Sequence, residues 1–414
     1  MKDWLKNLGD KIAQLWQKVL DAFKTIKWLK WVALGVAGVI VASTVLVIAL
    51  SGGKDNGGSS LPDSSSSTPP TSSSSPVDSS SPSEDSKPVE KPENASNGLA
   101  YKESADGTYY VLDSIGDNKD ESVWIPSMHM GKPVKEIDFN AFANATCKGV
   151  WVGKNVVKIA DTAFKNCANL EKIEVDEENT AFKSVDGNLY TKDGKTLLVY
   201  ACAKTEKTFT VPADVEALGA AAFAGAKNLE SLSVANGNKK FLALDGHIYT
   251  IGGAEFVQYA VGNKAESFEL PNTVKTIGEN AFATASNLTS VKLSSVETIA
   301  KNAFYECANL KTVELNEGLK TIGEFAFYYS GLETVTIPAT VEKIGALALM
   351  SMKVSGELGN YTETVALTSV TFLVTEGWSA SGEPVDATSL ADATVAAQLF
   401  SDMNKNAVKV WTRA

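Results

Sequence analysis

Arginine is almost missing from this 414-residue chain, in which Arg413 is the only one. Without guanidinium forks, two-pronged recognition of phosphate or carboxylate has almost no instrument. Histidine is nearly as scarce, with His129 and His247 alone. His129 has no second His or Cys near it in sequence, and His247 aligns with Asn188 in a duplicated unit, so that slot accepts an amide. No His-Glu-x-x-His, Cys-x-x-Cys, phosphate-loop or Gly-x-Ser-x-Gly pattern occurs. The acidic stretch Asp113–Glu121 lacks the ligand spacing of a calcium loop, and its Gly116 stands fourth where such a loop needs glycine sixth. Carboxylates such as Glu171, Glu230 and Glu333 are scattered as a solvated face, not paired across a groove as glycoside hydrolysis requires. The expectation is a chain with no catalytic set, no metal and no cofactor. Residues 99–414 carry 28 basic against 39 acidic groups, which disfavours nucleic acid as a partner.

Cysteine is limited to Cys147, Cys167, Cys202 and Cys307. An even number raises the question of a disulfide framework. Cys167 and Cys307 stand where other copies of a repeat carry Ala145, Ala226, Ala285 and Ser330, so small size explains them. They also lie several coils apart, beyond bridging distance. Free buried thiols are expected.

What is present is a repeat. An aliphatic residue followed four and five positions later by Ala-Phe occurs at Ile137/Phe142, Ile159/Phe164, Leu218/Phe223, Ile277/Phe282, Ile299/Phe304 and Ile322/Phe327, with a degenerate copy at Ile344/Leu349. Steps of 22, 59, 59, 22, 23 and 22 residues separate successive copies. A period of about 20–25 residues marks a solenoid, in which each coil buries its apolar face against the next. Each coil also carries a Leu-x-x-aliphatic-x-aliphatic strand, as in Leu170/Ile173/Val175 and Leu310/Val313/Leu315. The two long steps align without gaps, Asp186-Gly187 on Asp245-Gly246 and Tyr190 on Tyr249, and each reads as a coil with an inserted β-meander.

The segments flanking the repeat differ in composition. Residues 1–30 place Trp4, Leu8, Ile12, Leu15, Val19 and Phe23 on one helical face and predict a cytoplasmic amphipathic helix. Residues 31–51 form an uncharged run long enough to span a bilayer, and the preceding Lys excess predicts an N-terminus inside. Residues 52–98 are Ser/Pro-rich and read as a disordered linker. An N-terminal cap over 99–134, a solenoid over 135–375 and a C-terminal cap over 376–414 complete the division. The expected fold class is thus a β-rich leucine-rich-repeat solenoid with short helical turns and two β-meander insertions, preceded by one transmembrane helix.

These residues, with the entry segment Gly107-Thr108-Tyr109-Tyr110-Val111 and the closing Ser369-Val370-Thr371-Phe372 and Gly377-Trp378, resemble the BspA-type leucine-rich repeat family of bacterial and some protist surface proteins. The resemblance covers about Leu99 to the C-terminus. It implies a non-enzymatic adhesin or interaction protein. Together with the apolar run it suggests a single-pass cell-membrane protein with an extracellular C-terminal domain and a protein or glycan ligand. A second reading is an envelope sensor or scaffold with output through the cytoplasmic helix. The candidate ligand-binding residues are the outward positions of the strand ladder: Trp151, Lys172, Glu174, Ser231, Ser233, Ser290, Lys292, Thr312, Glu314, Thr334 and Thr336, with Ser369 and Thr371 following. Tyr305, Tyr328 and Tyr329 mark either an aromatic patch on the other side or packing between coils.

Overall fold

A computed structural model describes residues 91–143, 145–165, 167–357, 360–403 and 406–414. The predicted helix 1–30, the predicted membrane helix 31–51 and most of the linker lie outside these residues. Among the described residues no helix is long and apolar enough to cross a membrane. For the described residues the fold class is therefore corrected to a repeat solenoid with no membrane-crossing helix. The expectation rests on an apolar run of spanning length preceded by a Lys excess, and the single-pass membrane localisation, the membrane as partner, the anchored function and the sensor reading are withdrawn with it.

Each regular coil contributes a rung to two parallel ladders. The first ladder takes the Leu-x-x-aliphatic-x-aliphatic segments, among them Ser290–Lys292, Thr312–Glu314, Thr334–Ile337 and Ser369–Phe372. Strand alternation turns Val291, Val313, Val335 and Val370 into the core. The second ladder is built from two-residue rungs ending in the repeat Ile: Thr276–Ile277, Thr298–Ile299, Thr321–Ile322 and Lys343–Ile344 pair in parallel register. Between the ladders sit the repeat phenylalanines. Phe282, Phe304 and Phe327 stack with ring centroids 4.7 and 5.0 Å apart, and Phe142 and Phe164 at 4.9 Å. The ring spacing matches the roughly 4.8 Å strand spacing, so one aromatic per coil makes a continuous column. Two residues before the Phe the chain turns through positive φ, at Asn140, Asn280 and Asn302, and Asn tolerates that region better than most side chains.

The meanders change this plan. In the first, Phe182–Val185, Asn188–Thr191 and Thr196–Val199 pair antiparallel, and Thr196–Val199 then joins Ala217–Leu218 in parallel. The aligned unit repeats this with Phe241–Leu244, His247–Thr250, Glu255–Gln258 and Thr276–Ile277. Both hairpins turn at Asp-Gly with positive φ at both residues, Asp186/Gly187 and Asp245/Gly246, the geometry such dipeptides favour. Each turn is laid against the first ladder. The Ile173 N–H donates to Gly187 O at 2.8 Å and the Ser184 hydroxyl donates to Ile173 O at 2.6 Å. Likewise the Leu232 N–H donates to Gly246 O at 2.8 Å. The hairpins thereby satisfy backbone groups that a next rung would take. The expected single ladder is in fact three sheets: Ser122–Ile125 with Gly149–Val152 and Lys172–Val175; Thr208–Val211 with Ser231–Val234; and a five-stranded sheet from Ser267–Glu269 to Ser369–Phe372.

The core follows the same division. One buried cluster runs from Leu112 to Val261 and a second from Tyr249 to Trp411, and they interleave along the second meander. At the C-terminal end, helices Ala387–Ala391 and Ala393–Ser401 are N-capped by Asp386 and Asp392. Phe400 from the second helix lies 4.5 Å from Trp411. Strand Trp411–Arg413 pairs antiparallel with Lys343–Ile344, ending the second ladder by reversing its direction. At the other end, residues assigned by composition to the linker run along the first rung, where the Ser96 N–H donates to Trp124 O at 3.1 Å.

Candidate binding surface

The five-stranded sheet brings eight of the candidate residues onto one face. Ser290, Thr312 and Thr334 stand in register, flanked by Ser267 and Ser369, so every rung presents a hydroxyl at the same level. Two residues further along each strand the second row reads Glu269, Lys292, Glu314, Thr336 and Thr371. Thr312, Glu314, Lys292, Thr334, Thr336 and Thr371 are exposed. The rows exist because strand alternation sends every second side chain outward while parallel register aligns them from coil to coil. Lys292 pairs with Glu269 at 2.9 Å. That hydrogen bond and charge hold the Glu269 carboxyl below its ordinary range and the Lys292 ammonium above its own. Such a surface can donate and accept hydrogen bonds at a fixed repeat, and nothing in it is arranged to break a bond.

The other candidates fall elsewhere. Trp151 is buried, 8% exposed, with the Lys172 ammonium 5.4 Å from its ring centroid. Lys172 also pairs with Glu174 at 3.2 Å. A Cβ placed on Gly187 would lie 2.8 Å from Lys172 Cβ, so the first hairpin turn sits on this residue. On the two-stranded sheet, Gly246 approaches Ser231 Oγ as closely, and the Ser233 hydroxyl is 2.7 Å from Thr210 Oγ1. Trp151, Lys172, Glu174, Ser231 and Ser233 are thus parted from the open face by the two turns. Ser267 and Glu269 were missed because Ser267–Glu269 lacks the Leu-x-x-aliphatic lead. A usable signal existed: Ser-Phe-Glu-Leu-Pro aligns with Thr-Phe-Thr-Val-Pro in the preceding unit.

The remaining special residues are structural. The His247 ring is buried and its Nδ1 accepts from the Ala260 N–H at 3.2 Å. At the aligned position, Asn188 Oδ1 accepts from the Ala201 N–H at 3.0 Å, so imidazole and amide do the same work. Burial pulls His247 down to about 4, which keeps the accepting nitrogen free of a proton at neutral pH. His129 stacks on Tyr101 at 4.0 Å. Among the described residues no group of three His, Cys, Asp or Glu is placed to hold a metal ion. The four thiols are buried and unbridged. Tyr305 stacks on Tyr328 of the next coil at 5.8 Å, and Tyr328 meets Tyr329 edge-on at 4.6 Å, so these rings pack between and along coils. A cavity beside Cys202, lined by Phe164, Leu170 and Tyr200, has a volume of about 10 Å³, room for one water.

Among solved structures the chain is similar to the pneumococcal vaccine antigen PcpA, at 19% identity and TM-score 0.40, covering 67% of this chain and 66% of that one. It thus spans just under two thirds of that protein. A leucine rich cell surface protein from Faecalibacterium prausnitzii is 17% identical with TM-score 0.32, covering 62% and 86%. A leucine-rich repeat protein from Eubacterium ventriosum is 23% identical with TM-score 0.35, covering 54% and 64%. No curated protein matches the chain. Residues 113–190 and 240–355 match the BspA type leucine rich repeat region in six copies. Those spans hold most of both ladders and both stretches of the stacked phenylalanine column, and the repeats of this chain are accordingly leucine-rich repeats of the BspA type.

Proposed function

We propose that this protein is a non-enzymatic binding or adhesion module whose ligand, a protein or a glycan, docks on the five-stranded sheet. The observation that carries this reading is the row Ser267, Ser290, Thr312, Thr334 and Ser369, one hydroxyl per coil on an uninterrupted sheet. A regular array of this kind spreads many weak hydrogen bonds over an extended surface, which is how repeat proteins bind. The full chain and its Thr312→Arg/Thr334→Arg variant are compared on glycan and matrix-protein arrays. Both side chains are exposed, so the variant keeps its melting temperature. Loss of at least about tenfold in affinity, or 1.4 kcal/mol, supports the reading. Equal binding by both proteins would place the ligand elsewhere.

A further inference from the structure

Cys147 occupies a position that the other first-ladder strands following an Ala-Phe motif give to leucine. It stands three residues before the inward Val150, as Leu170 stands before Ile173, Leu229 before Leu232, and Leu288, Leu310 and Leu332 before Val291, Val313 and Val335. The one copy with the smaller side chain is the one that meets a thiol. Cys167, in the small-residue position of the next coil, brings its Sγ to 3.7 Å from Cys147 Sγ. Both residues are buried, 1% and 0% exposed. Neighbouring coils are joined here by the Glu171 N–H donating to Lys148 O at 2.7 Å, and one coil step of about 4.8 Å lies within the Cα range that a disulfide spans. Cys307 sits in the same repeat position as Cys167, yet its Sγ donates to Phe282 O at 3.0 Å and faces a coil with Leu288 in place of the thiol.

We propose that Cys147 and Cys167 are a paired oxidation site that closes to a disulfide linking the first coil to the second. The oxidant class is a small-molecule disulfide. The Cys147 thiolate attacks one sulfur of the oxidant and releases its first thiolate, having given its own proton to solvent. The Cys167 thiolate, deprotonated in turn, attacks the Cys147 sulfur of the mixed disulfide and releases the second. Two protein thiols are oxidised by two electrons, and one oxidant disulfide is reduced to two thiols. The hydrogen bond between the thiols lowers the Cys147 side, consistent with its acting first.

The test refolds the full reduced chain in buffer containing oxidised glutathione, then counts thiols under denaturing conditions and maps the peptides. The expected result is a thiol count lower by two and a reducible cross-linked peptide pair containing Cys147 and Cys167. Cys307→Ser must keep that bridge, while Cys147→Ser and Cys167→Ser must each abolish it with no glutathione left attached to the wild-type protein. Four free thiols in the refolded wild type, a stable glutathione adduct, or a bridge through Cys202 would each overturn the assignment.

Discussion

His247 shows how far one side chain's chemistry follows from its slot. Its imidazole accepts a backbone hydrogen bond in a pocket with Phe256, Tyr259 and Phe268. Burial lowers its folded pKa to about 4 from 6.5, with Asp245 opposing in part. Between those values the unfolded chain binds the proton and the folded chain does not. Stability is therefore fully present above pH 6.5 and falls as the pH drops toward 4, by about 3 kcal/mol from this group. Replacing it by the amide of the aligned position, His247→Asn, should flatten the melting temperature between pH 7 and pH 5 relative to wild type. Identical pH profiles by calorimetry would contradict this account. The alignment of His247 with Asn188 was readable in the sequence, because both follow an Asp-Gly turn. The bond that explains the exchange was not, since it reaches a residue thirteen positions on.

At the scale of elements, the repeat Phe, the ladder strands and the meander hairpins were legible because each has a short-range signature: period, alternation and Asp-Gly. The ladder breaks were not. Where a hairpin lands depends on the bend of the whole insert, and Ile173 reads like any other inward strand residue. Gly246 tests the landing directly, with φ +80° and a built Cβ only 2.8 Å from Ser231 Oγ. Gly246→Ala should cost about 2 kcal/mol from left-handed strain and the close contact, seen as a lower urea midpoint at unchanged slope. The phenylalanine column makes a harsher prediction. Phe304→Ala removes a ring stacked on both sides and should cost about 3–5 kcal/mol in the same measurement. The open face was only half legible: Thr312, Glu314, Thr334 and Thr336 followed from alternation, whereas the burial of Trp151 depends on neighbours that alternation ignores.

Across the whole molecule, residues far apart in the chain are also tied on the turn side. The Lys165 ammonium donates to Tyr305 Oη at 2.9 Å and pairs with Glu306 at 2.8 Å, across 140 residues of sequence. These groups are largely buried, and Glu306 holds the Lys165 pKa up against its desolvation. Lys165→Met strands Glu306 and should cost about 2 kcal/mol, read as a lower melting temperature that Glu306→Gln partly restores. No sequence pattern announces such a pair, because neither residue belongs to the repeat consensus.

The two hairpins that end ladder sheets also set how the chain comes apart. A solenoid holds together through contacts between neighbours, and at the second meander the backbone ladder stops while the apolar interior changes from one cluster to the other. The chain from about 241 onward, with its own terminal helices, should therefore unfold as a separate cooperative block. Scanning calorimetry of the full chain should resolve two transitions, and hydrogen exchange should assign the protected amides on either side of residues 241–258 to different ones. A single transition with uniform protection would mean that the bonds from Leu232 N–H to Gly246 O and from Gly262 N–H to Leu229 O, both 2.8 Å, couple the blocks as tightly as a continuous sheet.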